Sequence, residues 1–90
     1  MSYTNHNAKD IASSGTVKAG HGVIVSVHVT KAGASGDKVV FHNGADATGT
    51  VEFSVYGEGY QNIEDIYRRF ENGIYAEVTG STAKYLIVFK

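Results

Sequence analysis

Cysteine, proline and tryptophan are all missing from the 90 residues of this chain. Without cysteine there is no disulfide scaffold, no thiol catalysis and no thiolate metal site. Average usage would supply about four prolines. Their absence removes one common means of blunting an exposed strand, so edge strands need charge, a bulge or a neighbouring subunit. Charge is scarce as well: eight Lys and Arg against nine Asp and Glu leave a net charge of −1. That balance argues against nucleic acid as a partner, because phosphate binding calls for a basic surplus. Apolar runs are only a few residues long, so neither a membrane span nor a signal-peptide core is legible.

What is present points to a small β domain. Apolar residues make up 42%, with six Tyr and four Phe, too many for a disordered chain. Ninety residues allow one domain. A chain of that size buries only ~60% of its unfolded surface, so it is marginal alone or leans on partners. Eleven glycines alongside many Val, Thr, Tyr and Phe fit short strands joined by tight turns. Composition therefore predicts a soluble, intracellularly made, mostly β protein, and names no activity.

Alternation places the strands. Over residues 22–30, Val23, Val25, Val27 and Val29 share one face, and Ile24, Ser26, His28 and Thr30 the other, the mark of a half-buried strand. Residues 38–43 set Val39 and Phe41 against Val40 and His42. Residues 50–56 set Val51, Phe53 and Val55 inward. Residues 73–79 set Ile74, Ala76 and Val78 against Tyr75, Glu77 and Thr79, and residues 83–89 set Tyr85, Ile87 and Phe89 against Leu86 and Val88. The expected inter-sheet core is the four valines of the first strand with Val39, Phe41, Val51, Phe53, Val55, Ile87 and Phe89. A short strand over 16–19 precedes the first strong one. Between 62 and 73, Ile63, Ile66, Tyr67 and Phe70 fall at helical spacing, with Asn62 as a candidate cap and Gly73 as a terminator, yet the stretch is short and aromatic, which suits a strand. Residues 1–15 carry only Tyr3 and Ile11 as sizeable apolar side chains. They read either as a frayed terminus or as an extended arm that orders against another subunit. The expected organisation is an arm over 1–15 and a sandwich over 16–90.

Three turn motifs carry a resemblance. They are Thr30-Lys31-Ala32-Gly33, the loop Asn43-Gly44-Ala45-Asp46-Ala47-Thr48-Gly49-Thr50, and Arg69-Phe70-Glu71-Asn72-Gly73-Ile74-Tyr75 running on to Thr79-Gly80. In this order, spanning residues 18–89, the chain resembles the small β-sandwich structural proteins encoded in the virion gene clusters of tailed bacteriophages. The resemblance implies an all-β fold, a small antiparallel β-sandwich or jelly-roll-like barrel, with residues 63–70 extended and at most one helical turn. It implies a structural role in the virion, without cofactor. The expectation is a capsid decoration (cement) protein on the particle surface, bound between major capsid subunits and in contact with copies of itself, in a trimer around a local threefold. A tail, fibre or head–tail component and a carbohydrate-binding module are the alternatives, the last disfavoured by the missing tryptophan.

Candidate chemistry is thin. His28 and His42 fall on neighbouring expected strands, with His21 nearby, but no HxH or HExxH spacing supports a metal site. Glu64, Asp65 and Glu71 alternate with Arg68 and Arg69, which reads as a solvated ion-pair patch and not as the paired acids of a glycosidase. No serine lies in a G-x-S-x-G elbow, so no catalytic or cofactor-binding residue is expected. The expected protein interface comprises Tyr3 and Ile11 of the arm with Tyr56, Tyr60, Tyr67 and Tyr75, since exposed tyrosines suit interfaces.

Overall fold

The alternation read from the sequence becomes two antiparallel sheets in the computed structural model, which describes residues 6–90. The strands are β1 (Asn7–Ile11), β2 (Gly15–Ala19), β3 (Gly22–Lys31), β4 (Lys38–Asn43), β5 (Thr50–Tyr56), β6 (Asn62–Ile63), β7 (Arg68–Phe70), β8 (Gly73–Thr79) and β9 (Lys84–Phe89). The first sheet runs β1-β9-β3, with β6 and β7 both paired along the far side of β3; the second runs β2-β8-β4-β5. They form a sandwich of 35 × 31 × 16 Å, and the described residues contain no helix. The helical spacing at 63–70 is overridden: two short strands dock on β3, joined by irregular backbone.

The core sits between the sheets. Val27, Val29, Tyr85 and Ile87 from one side meet Val39, Phe41, Val55, Ile74 and Ala76 from the other. Phe53 stacks obliquely on Phe41 at 5.0 Å between centroids and edge-on to Phe70 at 6.4 Å, so aromatic contact bridges the layers.

Two bulges correct the expected core. On β3, Ile24 pairs with Phe89 but Ser26 pairs with Val88, so Val25 is an extra residue. An inserted residue reverses which side chains face inward. Ile24, expected outside, is therefore fully buried, while Val23, expected inside, is only half-buried. On β5, Phe53 pairs with Phe41 but Val51 with His42, which makes Glu52 the extra residue and turns Val51 out to 56% exposure. Phe53 itself is only half-buried.

The expected arm is corrected too. Residues 7–11 are the edge strand β1, paired along its length with β9. Ile11 is buried opposite Tyr85 and belongs to the core. It is therefore packing, not interface. Residues 15–19 form the matching edge of the second sheet, and Ser14 joins its flank to β8 by accepting the Val78 N–H at 2.8 Å. Tyr3 lies outside the described residues.

At one end of the sandwich, a single buried carboxylate gathers three connections. Asp37 accepts hydrogen bonds from the backbone N–H groups of Ala83 (3.0 Å) and Thr82 (3.3 Å). Its own carbonyl accepts the Gly57 N–H at 2.8 Å. A side chain at Gly33 or Gly80 would collide with this carboxylate, and Gly80 also holds a φ of +90°, a conformation open to glycine.

The bulges make an unusual order of sensitivity. Phe41→Ala removes a fully buried ring and is expected to cost about 3–5 kcal/mol, with Phe53→Ala costing less. Val51→Ser should stay within about 0.5 kcal/mol of the wild type. Denaturant titration of the three variants checks this, and a severe loss in Val51→Ser would refute the β5 register.

Candidate protein interface

One continuous stretch of chain, from β5 through β7, builds one side of the sandwich. It provides the free edge of the second sheet, β5, and then crosses to the far side of β3 in the first sheet as β6 and β7. Among the described residues the four exposed large apolar side chains all lie on it: Val51 (56%), Tyr56 (56%), Tyr60 (74%) and Tyr67 (53%). Three of the tyrosines expected at an interface thus lie on this one stretch of chain. Tyr75 is not among them. It lies half-buried at the middle of β8, edge-on to the His42 ring at 6.3 Å.

The flank is held rigid by hydrogen bonds of several kinds. The connection between β5 and β6 is fixed by Gly33 N–H donating to the Gly57 carbonyl (2.7 Å) and Val29 N–H to the Gln61 carbonyl (2.8 Å). The Glu58 carboxylate accepts the Gly36 N–H at 3.1 Å, and the Gln61 amide donates to the Tyr56 carbonyl at 2.9 Å. Between the sheets, Arg68 donates from both Nε (3.0 Å) and Nη2 (2.8 Å) to one oxygen of Glu52. Arg68 holds the Glu52 carboxyl below its usual range, against the opposing effect of burial and with help from Asn43. The sequence suggested that Arg68 would pair with its neighbours Glu64, Asp65 and Glu71. Its partner is instead the bulged residue of the opposite sheet, and only Arg69 pairs locally, with Glu71 at 3.2 Å.

Between β6 and β7 the backbone is strained. Asp65 and Tyr67 have φ of +56° and +47°, the left-handed region that side chains other than those of Asn, Asp and Gly rarely enter. The twist is fixed by the Ile66 N–H, which donates to the carbonyl of the bulged Val25 at 2.9 Å. It turns Tyr67 outward, with the Lys90 ammonium 5.6 Å from its ring centre, within range of cation–π attraction. Tyrosines on a pinned support lose little freedom when they dock.

The histidines do not form the metal pair that the sequence made conceivable. β3 and β4 lie in opposite sheets, so His28 and His42 face away from each other on the two outer surfaces. Among the described residues no group of three His, Cys, Asp or Glu side chains is arranged to hold a metal. His28 instead links Ser26 Oγ (to Nε2, 3.0 Å) with Asn62 Oδ1 (to Nδ1, 2.8 Å). The connectivity matches a nucleophile, a base and an orienting amide. Ser26, however, stands mid-strand, where backbone N–H groups lie in the plane of the sheet. The face above its hydroxyl thus offers no backbone donors to a developing oxyanion. The chain of bonds serves to hold the two-residue strand β6 on β3, opposite Val27 and His28. Comparison with protein-family models, with curated proteins and with solved structures finds no match.

The sequence signalled neither the His28 link nor the Arg68–Glu52 bridge, since each joins strands distant along the chain. Asn62→Ala should cost about 1 kcal/mol and speed amide exchange at Val29, whose N–H is bonded to the β6 flank. Unchanged exchange at Val29 would show that the His28–Asn62 bond does not hold β6 in place.

Proposed function

We propose that this protein is a structural component of a bacteriophage virion, a capsid decoration protein that docks between major capsid subunits through the flank carrying Tyr56, Tyr60 and Tyr67. The observation that carries this reading is the collection of the exposed aromatic rings on one rigid stretch of the sandwich. Tyrosine anchors of this kind are enriched where proteins bury surface against one another. The turn motifs at 30–33, 43–50 and 69–80 add the resemblance to small virion sandwiches.

A particle surface suits such a body. It repeats one binding site many times, so a modest patch on each copy suffices when neighbouring copies also touch. In this reading the copies meet around a local threefold, and the long tyrosine flank faces the shell. The pairing of β1 with β9 takes residues 7–11 out of the arm expected over 1–15. A tail or fibre position uses the same flank on a different partner. A glycan-binding module would use the same tyrosines as stacking platforms.

The triple substitution Tyr56→Ser, Tyr60→Ser and Tyr67→Ser tests the reading. Its melting temperature should stay within a few degrees of the wild type, while binding to particles assembled from the co-encoded major capsid protein weakens by at least ~100-fold. Retained binding would overturn the proposed flank. Binding of the wild type to a glycan array but not to particles would favour the carbohydrate reading. Removal through Ile11 takes away an edge strand with its core side chain and should unfold the domain at moderate temperature.

A further inference from the structure

The His42 ring is buried and held at each nitrogen. Its side chain leaves β4 on the outer surface of the second sheet, yet the residue is only 4% exposed. Nδ1 lies 3.0 Å from the Gly49 carbonyl, and Nε2 lies 2.8 Å from Glu77 Oε1. A carbonyl oxygen and a carboxylate can only accept, so both bonds are made at once only when each ring nitrogen carries a proton, as in the imidazolium. The ring closes the loop between β4 and β5: Gly49 is the last residue before β5, and Glu77 reaches across from β8.

We infer that His42 is a proton-operated latch: the imidazolium holds the 44–49 loop shut against the second sheet, and loss of one proton frees the Gly49 end of that loop. A neutral imidazole has one N–H and must abandon one acceptor. The bond to a carboxylate is the stronger of the two, so the proton stays on Nε2 facing Glu77. The bare lone pair of Nδ1 then points at the Gly49 oxygen, and two acceptors repel. Other ties remain: the Gly44 N–H donates to the Gly73 carbonyl at 3.0 Å, the Asn72 N–H donates to Asn43 Oδ1 at 2.8 Å, and the pairing of Asn43 with Thr50 holds the start of β5. Release is thus confined to the segment from Ala45 to Gly49.

The charged and titratable surroundings favour the closed form. Glu77 faces the ring from β8, Asp46 lies on the loop itself, and Tyr75 packs edge-on from β8. Burial works against the charge. The Gly49 and Glu77 bonds and the charges of Glu77 and Asp46 outweigh it, so the His42 pKa is raised above its ordinary value. Asp46 remains ionised throughout, because the Thr48 hydroxyl and N–H hold its carboxyl below the usual range. With the folded pKa above the unfolded one, the stabilisation is complete below about pH 6.5 and is lost as pH rises through the folded value. The latch opens on the alkaline side.

Two measurements on the intact protein test it. Histidine nitrogen shifts by NMR should report a doubly protonated His42 at pH 6 and the Nε2–H tautomer at high pH. Amide exchange over residues 45–50, corrected for intrinsic pH dependence, should quicken by about tenfold across that transition, with Gly73 and Val55 unaffected. In Glu77→Gln the transition should move to lower pH, and His42→Gln should show none. A neutral His42 at pH 6, or loop exchange that ignores its titration, overturns the inference.

Discussion

The buried carboxylate of Asp37 is the point on which the chain's path depends. At that end of the sandwich the turn after β3, the exit of β5 and the turn before β9 all converge, and each is fixed by an atom of this one residue. A carboxylate tolerates burial only when donors replace its water, and here backbone N–H groups do so. The two glycines nearest to it, Gly33 and Gly80, close the Thr-Lys-Ala-Gly and Thr-Gly turns that were legible as motifs. Their lack of a side chain is a requirement of the Asp37 site. Tyr85 ends at the same place. Burial first, and the Asp37 charge second, raise its hydroxyl above the ordinary tyrosine range, which keeps the phenol neutral beside the carboxylate.

The fold class was legible because alternation is local. Residues 84–89 and 73–79 needed only period two to assign their faces, and Tyr85, Ile87, Ile74 and Ala76 are buried as that period requires. The failures share one physical cause. A bulge adds a residue without leaving a mark in polarity, so Val23, Ile24 and Val51 look correctly alternating in sequence and are inverted in the sheet. The site was legible in composition but not in position. Exposed tyrosines could be counted, but their assembly on one flank depends on β5 and β7 meeting across the sandwich. The bond from Arg68 to Glu52 records that meeting, and it spans 16 residues of sequence.

Both bulges also serve the flank. The one at Val25 frees a carbonyl for Ile66 and so sets the twist that presents Tyr67. The one at Glu52 carries the carboxylate that Arg68 grips. In a chain without proline, the bulge at Glu52 interrupts what would otherwise be a regular free edge on β5, a device natural sheets use against unwanted pairing. Docking at this flank would then rest on side chains, because the backbone beside Tyr56 is already occupied by Gln61.

The strand order has a consequence for the time course of folding. The last strand, β9, lies between β1 and β3, and β8 lies between β2 and β4. Each sheet is therefore split down its middle until the final strands arrive. Nothing translated before Gly73 can close a core, because β1 has no neighbour in the first sheet and β2 none in the second. Closure waits on contacts between chain ends, which are slow to form. On a ribosome the two sheets thus stay open until Phe89 clears the exit.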